Sequence, residues 1–291
     1  MTKNSIFYFS FLLTAFVLFC TNCSLNTNKS QEISFTVLNG ERVQDFCKRL
    51  NKQNISDCSS FERISKEKDF GEYSFVPDPG NMNRFEGLFR PGSYTIQVRN
   101  EYCDESRSDM QRCIHDANAE KITALLLEKS SYRFINQSRY EFYQQITLAS
   151  IVEKEAASDK DYKFVSSVFQ NRMKKGMVLG SCPTVEYALG YHRPFLLFKD
   201  IAIQSPYNVY KRRGLPPTPI AFFSDEALEA VRHPENTEYL FFVFDWTTGE
   251  LHFSEKYEQH KVFASRAREN FIRKFGKDSI HRVYPDKFYE L

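Results

Sequence analysis

The sequence lacks the short motifs that mark several common enzyme classes. Its six histidines form neither a His-x-x-x-His nor a His-x-x-Glu-His pattern, so zinc-dependent hydrolysis is not supported. Neither a Gly-x-Ser-x-Gly elbow nor a glycine-rich phosphate loop is present, which argues against an α/β-hydrolase and a phosphate-loop protein. No metal and no other cofactor is therefore expected.

The charge balance shows little excess of either sign. The 39 lysines and arginines face 37 aspartates and glutamates, and the formal net charge is +2. The basic residues are spread along the chain and matched by acids, so nothing indicates a nucleic-acid partner. A length of 291 residues allows one or two domains with a sizeable core.

The N-terminus has an apolar run that is short for a membrane-spanning helix. Lys3 precedes the uncharged run Ile6–Cys20, whereas a spanning helix needs about 20 apolar residues. The run has the length of a signal-peptide core, and Cys23 stands where a bacterial lipoprotein carries its lipid. Residues 1–23 therefore predict an export signal with lipidation at Cys23, or alternatively a short membrane anchor. Residues 24–32 are rich in Ser, Asn and Thr and predict a linker.

Cysteine usage agrees with export. Cys47 and Cys58 form one short-range pair, Cys103 and Cys113 form another, and Cys182 has no close partner in the sequence. In an exported chain this spacing predicts the disulfides Cys47–Cys58 and Cys103–Cys113, each closing a loop of about ten residues. Beyond the signal segment no cysteines have Cys-x-x-Cys spacing, so a zinc site is not indicated.

Hydrophobic periodicity predicts an α+β fold. Residues 33–38 alternate as a strand, and apolar residues recur at helical spacing from Val43 to Leu50, which predicts a small α/β unit over residues 33–84. Residues 85–270 contain both helical and strand patterns and predict a mixed domain, followed by a basic C-terminal tail at 271–291. A surface helix is expected from Phe263 onward.

Two glutamates lie at the end of an apolar helix pattern in the centre of the chain. Glu153 and Glu155 follow the run that begins at Leu148, and a second amphipathic helix follows and ends at Gly176. Residues two apart on a helix diverge by roughly 200°, so the two carboxylates face opposite ways. Either one can be buried, and the alternative is that both are solvated at the helix end.

Several strings of the sequence resemble a known family. They are Ala149–Glu155, Val168-Phe169 with Asn171-Arg172, Pro183-Thr184-Val185 with Tyr187, Ser205–Asn208, Gly214–Pro217 and Tyr239–Val243. Upstream, Glu86-Gly87 with Phe89 and Pro91 also matches. Together they resemble the MltG (YceG-like) endolytic murein transglycosylases, in the family's order and over about residues 35–263.

The resemblance implies a small LysM-like module at 33–84 and a YceG-like catalytic domain at 85–270. It implies a lytic transglycosylase, a lyase that cuts the β-1,4 bond between N-acetylmuramic acid and N-acetylglucosamine within glycan strands and leaves a 1,6-anhydro end. Such an enzyme would sit in the cell envelope, tethered to the membrane, and terminate nascent strands near the wall-synthesis machinery.

The resemblance also assigns site residues. The second glutamate of Glu-Lys-Glu is the catalytic acid, which corresponds to Glu155 here. One acid suffices because the 6-hydroxyl of muramic acid replaces the second carboxylate of an ordinary glycosidase. The expected substrate-binding or acid-orienting residues are Glu153, Asn171, Thr184, Tyr187, Tyr207 and Asn208.

Three positions depart from the family pattern, and two other functions stay open. Gly92 and Cys182 stand where the family commonly has Asp, and Thr218 where it commonly has Gly. The first alternative is a peptidoglycan-binding scaffold with weak catalysis. The second is a lysozyme-type hydrolase that uses Glu153 as its second carboxylate.

Overall fold

The computed structural model describes residues 31–80, 82–98, 103, 108–193 and 195–281. The predicted signal segment 1–23, with Cys23, and residues 24–30 of the predicted linker lie outside these residues. Within the described ranges, no helix is both long enough and apolar enough to cross a membrane.

The N-terminal unit is a two-stranded sheet with two helices. Strand β1 (Gln31–Val37) is followed by helices α1 (Val43–Lys52) and α2 (Cys58–Glu67). A 3-10 turn at Met82–Phe85 leads into β2 (Gly92–Val98). The strands are antiparallel, with Ile33 opposite Ile96. β1 therefore begins within the predicted linker, and its partner strand lies beyond residue 84.

Two disulfides close short loops in this half of the chain. Cys47 in α1 is bonded to Cys58 at the start of α2, and Cys103 is bonded to Cys113. The thiol of Cys182 is free. The first bond fixes the angle between two helices whose buried faces share Phe46 and Phe61, with ring centroids 5.8 Å apart.

A long central helix organises the rest of the molecule. Helix α3 (Met110–Ser130) precedes α4 (Arg139–Glu155), which opens with a capping box between Ser138 and Glu141. Helices α5 (Tyr162–Lys174), α6 (Cys182–Leu189), α7 (Phe198–Ile201) and α8 (Asp225–Arg232) follow. α4 packs against α5, α6 and α8, and its middle is fully buried.

The chain ends in a hairpin and a helix. Strands β3 (Phe241–Asp245) and β4 (Glu250–Ser254) are antiparallel. Helix α9 (Tyr257–Phe275) packs on β3 and buries Phe271 in a small cluster with Ile280. The helix expected from Phe263 thus starts earlier and is only partly a surface helix, because its apolar residues cover the hairpin.

One continuous core joins the N-terminal unit to the central helices. Phe46 of α1 contacts Phe89 and Phe222, with ring centroids 6.1 and 6.0 Å apart. Backbone hydrogen bonds also cross this junction, from Gly40 N to Phe222 O (2.8 Å) and from Phe222 N to Glu41 O (2.8 Å). The N-terminal unit therefore contributes directly to the region around the end of α4.

Candidate active site

The end of α4 directs Glu153 and Glu155 into different surroundings, in agreement with the helical spacing. Glu153 Oε2 accepts hydrogen bonds from Ser224 N (3.0 Å) and Ser224 Oγ (2.7 Å). Ser224 is the N-cap of α8, and its Oγ accepts from Ala227 N (3.1 Å). Glu153 therefore holds the start of α8 in place.

Glu155 faces the first turn of α6. Ser181 is the N-cap residue of α6, but its hydroxyl does not cap its own helix. It donates instead to Glu155 Oε1 at 2.7 Å, and the backbone amide of Cys182 also stabilises the carboxylate. A helix N-terminus favours negative charge, so α6 presents suitable donors to this carboxyl group.

Burial dominates the electrostatics of Glu155. It raises the pKa of Glu155 to about 7, although the Ser181 hydroxyl and the Arg172 guanidinium act in the opposite direction. Ile151 and Val152, in the preceding turn of α4, have no exposed surface. A carboxyl group with this pKa is partly protonated at neutral pH, so it can give up a proton and take one back.

Arg172 supplies a fixed cation near the carboxyl group. Its Nε donates to Leu240 O (2.6 Å), its Nη1 donates to Leu179 O, and its guanidinium lies 5.5 Å from the centre of the Phe241 ring. Burial lowers the pKa of Arg172, and the charge of Glu155 opposes that change. Arg172 was not among the predicted site residues, because its proximity to Glu155 depends on how α5 packs against α4.

A neutral thiol lies on another side of Glu155. Cys182 Sγ lies 3.1 Å from Tyr210 Oη, and burial raises the pKa of the Cys182 thiol to about 12. The thiol therefore adds no charge beside Glu155. Gly180 adopts φ +60°, a left-handed backbone conformation that residues with a Cβ atom rarely adopt, and it lies between Arg172 and Tyr210. Tyr210 was not among the predicted site residues.

Tyr187 and Tyr207 form a partly exposed aromatic pair. Their ring centroids are 4.7 Å apart, and Tyr207 Oη lies 2.7 Å from Thr218 Oγ1. Tyr187 belongs to α6, the helix that carries the Ser181 hydroxyl to Glu155. Two predicted site residues thus lie together, and the unusual Thr218 is bonded to one of them. We call this cluster of Tyr187, Tyr207 and Thr218 the aromatic wall.

Three other predicted site residues hold backbone segments in place. Asn171 Nδ2 donates to Thr237 O (2.7 Å), and Thr184 Oγ1 donates to Ser181 O (2.7 Å). Asn208 Nδ2 donates to Ile201 O (2.8 Å) and Ile203 O (2.9 Å). Thr184 and Asn208 have no exposed surface. Thr184 therefore fixes the first turn of α6, and Asn208 fixes the loop that follows α7.

Within the part of the chain that the structure describes, Glu155 belongs neither to a metal-binding cluster nor to the surface cavity between α5 and α8. Among the described residues, no cluster of three or more His, Cys, Asp and Glu side chains could hold a metal ion. A surface cavity of about 570 Å³ lies between α5 and α8, and Tyr162, Lys163 and Glu229 contribute to its lining. Glu155 is not among the residues that line this cavity.

Comparisons with a family model and with curated proteins point to the same family. The family model described as "YceG-like family" matches residues 22–266. The endolytic murein transglycosylase of Bacillus subtilis (strain 168) is 37% identical over 156 residues, which cover 52% of this chain and 42% of that protein. The endolytic murein transglycosylase of Streptococcus pneumoniae serotype 2 (strain D39 / NCTC 7466) is 33% identical over 190 residues, which cover 64% of this chain and 32% of that protein.

A solved structure agrees with these matches. The 2.6 Å crystal structure of a YceG-like protein from Listeria monocytogenes superposes with a TM-score of 0.64 at 27% identity, covering 79% of this chain and 74% of that one. The chain spans less than half the length of the two curated relatives it matches. The family model covers most of the sequence. The chain belongs to the YceG-like family.

Proposed function

We propose that this protein is a peptidoglycan lytic transglycosylase that cleaves within glycan strands. The observation that carries the proposal is Glu155, a carboxyl group with a pKa of about 7 held by Ser181 at the start of α6. Relatives named endolytic murein transglycosylases support the same reaction. The substrate bond is the β-1,4 bond between N-acetylmuramic acid and N-acetylglucosamine.

The reaction needs one acid that later acts as a base. Protonated Glu155 donates its proton to the glycosidic oxygen, and the bond from that oxygen to C1 of the muramic acid breaks. The 6-hydroxyl of the same sugar attacks C1, and the Glu155 carboxylate takes the hydroxyl proton. One C–O bond breaks and one forms, no water is consumed, and the product carries a 1,6-anhydro ring.

The position of Glu153 favours this reaction over hydrolysis. A lysozyme-type enzyme needs a second carboxylate that faces the same sugar, at about 5–10 Å from the acid. Glu153 instead accepts two hydrogen bonds from Ser224 on the α8 side of α4. A second carboxylate is dispensable when the 6-hydroxyl is the nucleophile.

Arg172 and the neutral Cys182 lie around the acid, and so does Glu186, whose charge helps to raise the pKa of Glu155. Both carboxylate oxygens of Glu186 are engaged, one with His192 Nδ1 (2.8 Å) and the other with Arg193 N (3.2 Å).

We further propose that the N-terminal unit is a LysM-like module that binds peptidoglycan. It has the order strand, tight turn and short helix, and β2 completes its sheet. The module predicted at 33–84 would then extend to Val98, before the catalytic domain. Loss of binding to sacculi after substitutions on the exposed face of this unit would support the proposal, and unchanged binding would contradict it.

The anchor is predicted to be acyl chains on Cys23, which would place the enzyme in the envelope, close to the synthesis machinery. The motivation is the short apolar run that ends just before this cysteine. We expect Cys23→Ala to abolish acylation and to move the protein from the detergent phase to the aqueous phase. Unchanged processing and unchanged partitioning would favour the spanning helix instead.

Glu155→Gln is predicted to abolish strand cleavage while leaving strand binding intact. The amide keeps the shape and can accept the Ser181 hydrogen bond, but it has no proton to transfer. A positioned general acid contributes roughly 10²–10⁴-fold, so the turnover of purified glycan strands should fall by at least that much. Glu153→Gln is the matched comparison: it should keep most of the activity and lower the melting temperature. Wild-type turnover by Glu155→Gln would refute the mechanism.

Glu155→Gln is also predicted to change the pH dependence of the unfolding free energy. Burial raises the pKa of Glu155 from 4.5 to about 7, so the folded state holds this proton more tightly than the unfolded state. The unfolding free energy of the wild type therefore decreases as the pH rises from about 4.5 to about 7. Above pH 7, Glu155→Gln should be more stable by on the order of 3 kcal/mol.

The measurement is urea unfolding of both proteins from pH 4 to pH 8. The stability difference should vanish toward pH 4, where Glu155 is protonated in both states. A difference that stays constant across this range would show that ionisation of Glu155 does not oppose folding.

A further inference from the structure

Another carboxyl group, which is buried, connects the N-terminal unit to α6. Glu86 follows the 3-10 turn that ends at Phe85, and its exposed fraction is 2%. Glu86 Oε1 accepts from Val43 N at 2.9 Å, and Glu86 Oε2 accepts from Tyr187 Oη at 3.0 Å. Each carboxyl oxygen therefore serves a donor from a different element.

The hydrogen bond to Val43 substitutes for a missing helix cap. Arg42 is the N-cap residue of α1, but its side chain makes no capping hydrogen bond. Its guanidinium binds Asp45 instead, with Arg42 Nε 2.7 Å from Asp45 Oδ2. The carboxylate of Glu86 supplies the acceptor at the positive end of the α1 dipole. This contact fixes Glu86 to a rigid element, so its other oxygen is a fixed acceptor for Tyr187.

Tyr187 transmits this position to the aromatic wall. Its ring packs against Tyr207, whose hydroxyl is bonded to Thr218. The same helix, α6, carries Ser181 to Glu155. Glu86 and Glu155 thus hold the two ends of one short helix, and Glu86 acts at the end that bears the aromatic wall.

The backbone after Glu86 also presses on the loop that carries Thr218. Gly87 has φ +72°, and a Cβ atom there would lie 2.5 Å from Pro219 Cβ. Any other residue would force this loop to move. Ile220 N donates to Ser150 Oγ at 3.0 Å, which ties the end of the loop to α4. Glu86 therefore contacts Tyr187 on one side of the aromatic wall, and Gly87 lies against Pro219, which follows Thr218 on the other side.

Glu86 titrates near neutral pH because its carboxyl group is buried. Burial raises the pKa of Glu86 to about 7. The Val43 amide, the Tyr187 hydroxyl and the Arg42 guanidinium favour the carboxylate, whereas Asp45 opposes it. When Glu86 is protonated, its carboxyl group is neutral and one of its oxygens carries the proton. Tyr187 then loses a charged hydrogen-bond acceptor.

We propose that Glu86 is a positioning residue, which as a carboxylate fixes Tyr187 and thereby the aromatic wall on which a sugar ring of the glycan strand is held. This inference rests on the proposed function for its substrate class. Pockets that bind sugars combine flat aromatic faces with a few placed polar groups, and the pair Tyr187–Tyr207 with Thr218 has this composition. Glu86 acts through Tyr187 and does not touch the reacting atoms.

The test separates strand binding from turnover in full-length protein. Glu86→Gln keeps the side-chain volume and resembles the protonated acid, because its amide oxygen can accept from Val43 while its amide nitrogen donates to Tyr187. We expect the Kd and KM for purified glycan strands to rise about tenfold at pH 8, with kcat changed less than about twofold. In wild type, Kd should rise as the pH falls below about 7, and Glu86→Gln should lose this dependence. Kd is measured in proteins that also carry Glu155→Gln, because Glu155 has a pKa of about 7 as well and would otherwise titrate in the same range.

Tyr187→Phe provides an independent arm, because it removes only the hydroxyl and leaves the ring on Tyr207. It should raise Kd and KM about as much as Glu86→Gln, also without a titration near pH 7. If Glu86→Gln fails to fold, as judged by circular dichroism, the Kd and KM of Tyr187→Phe alone test the proposal. A wild-type Kd with its wild-type pH dependence in Tyr187→Phe would overturn it.

Glu41→Gln is the matched control for loss of a buried carboxylate in the same unit. Glu41 is 5% exposed and pairs with Arg49 at 2.8 Å, not with α6. It should lower the melting temperature without changing the pH dependence of Kd. If Glu41→Gln changed Kd as much as Glu86→Gln does, Glu86 would only stabilise the fold and the proposal would be wrong. If wild type releases no product, the proposed function fails, while the Kd series still tests Glu86.

Discussion

The hydrogen bond between Glu155 and Ser181 is the contact on which the rest of the site depends. It joins the last residue of the central helix α4 to the first turn of α6. α4 is held by the core on several sides, so the carboxyl group has little freedom. α6 is short, and Thr184 fixes its first turn through a hydrogen bond to Ser181 O. The rigid core thus determines the position of the carboxyl group that acts as the acid in the proposed reaction.

The site places two carboxyl groups where their ionisation is unfavourable. Burial raises the pKa of both Glu155 and Glu86 to about 7, and in each case donors around the carboxylate reduce but do not cancel the effect. Both groups contact α6, one at each end. Such sites cost folding free energy, which the continuous core and the two disulfides offset. The neutral thiol of Cys182 avoids a further charge in the same place.

The sequence predicted those features that depend on local periodicity. The opposite directions of Glu153 and Glu155 follow from helical geometry, and the structure shows them in separate surroundings.

Features that depend on long-range packing could not be predicted from the sequence. The partner of β1 is a strand some sixty positions later, and the sheet therefore crosses the boundary expected at residue 84. Asn208 looked like a sugar-binding amide, but a loop amide has the same sequence signal whether it faces a ligand or backbone carbonyls. Glu86 appeared only within a family string, because its burial depends on contacts with α1 and α6.

In the proposed mechanism a single acid supports the intramolecular attack of the 6-hydroxyl on C1, and water takes no part. Digestion of purified glycan strands by the wild-type enzyme in ¹⁸O-labelled water, followed by mass spectrometry of the new ends, tests it directly. The mechanism predicts 1,6-anhydromuramic ends, which are one water lighter than reducing ends, and no incorporated ¹⁸O. Reducing ends that carry ¹⁸O would contradict the mechanism and identify the enzyme as a hydrolase.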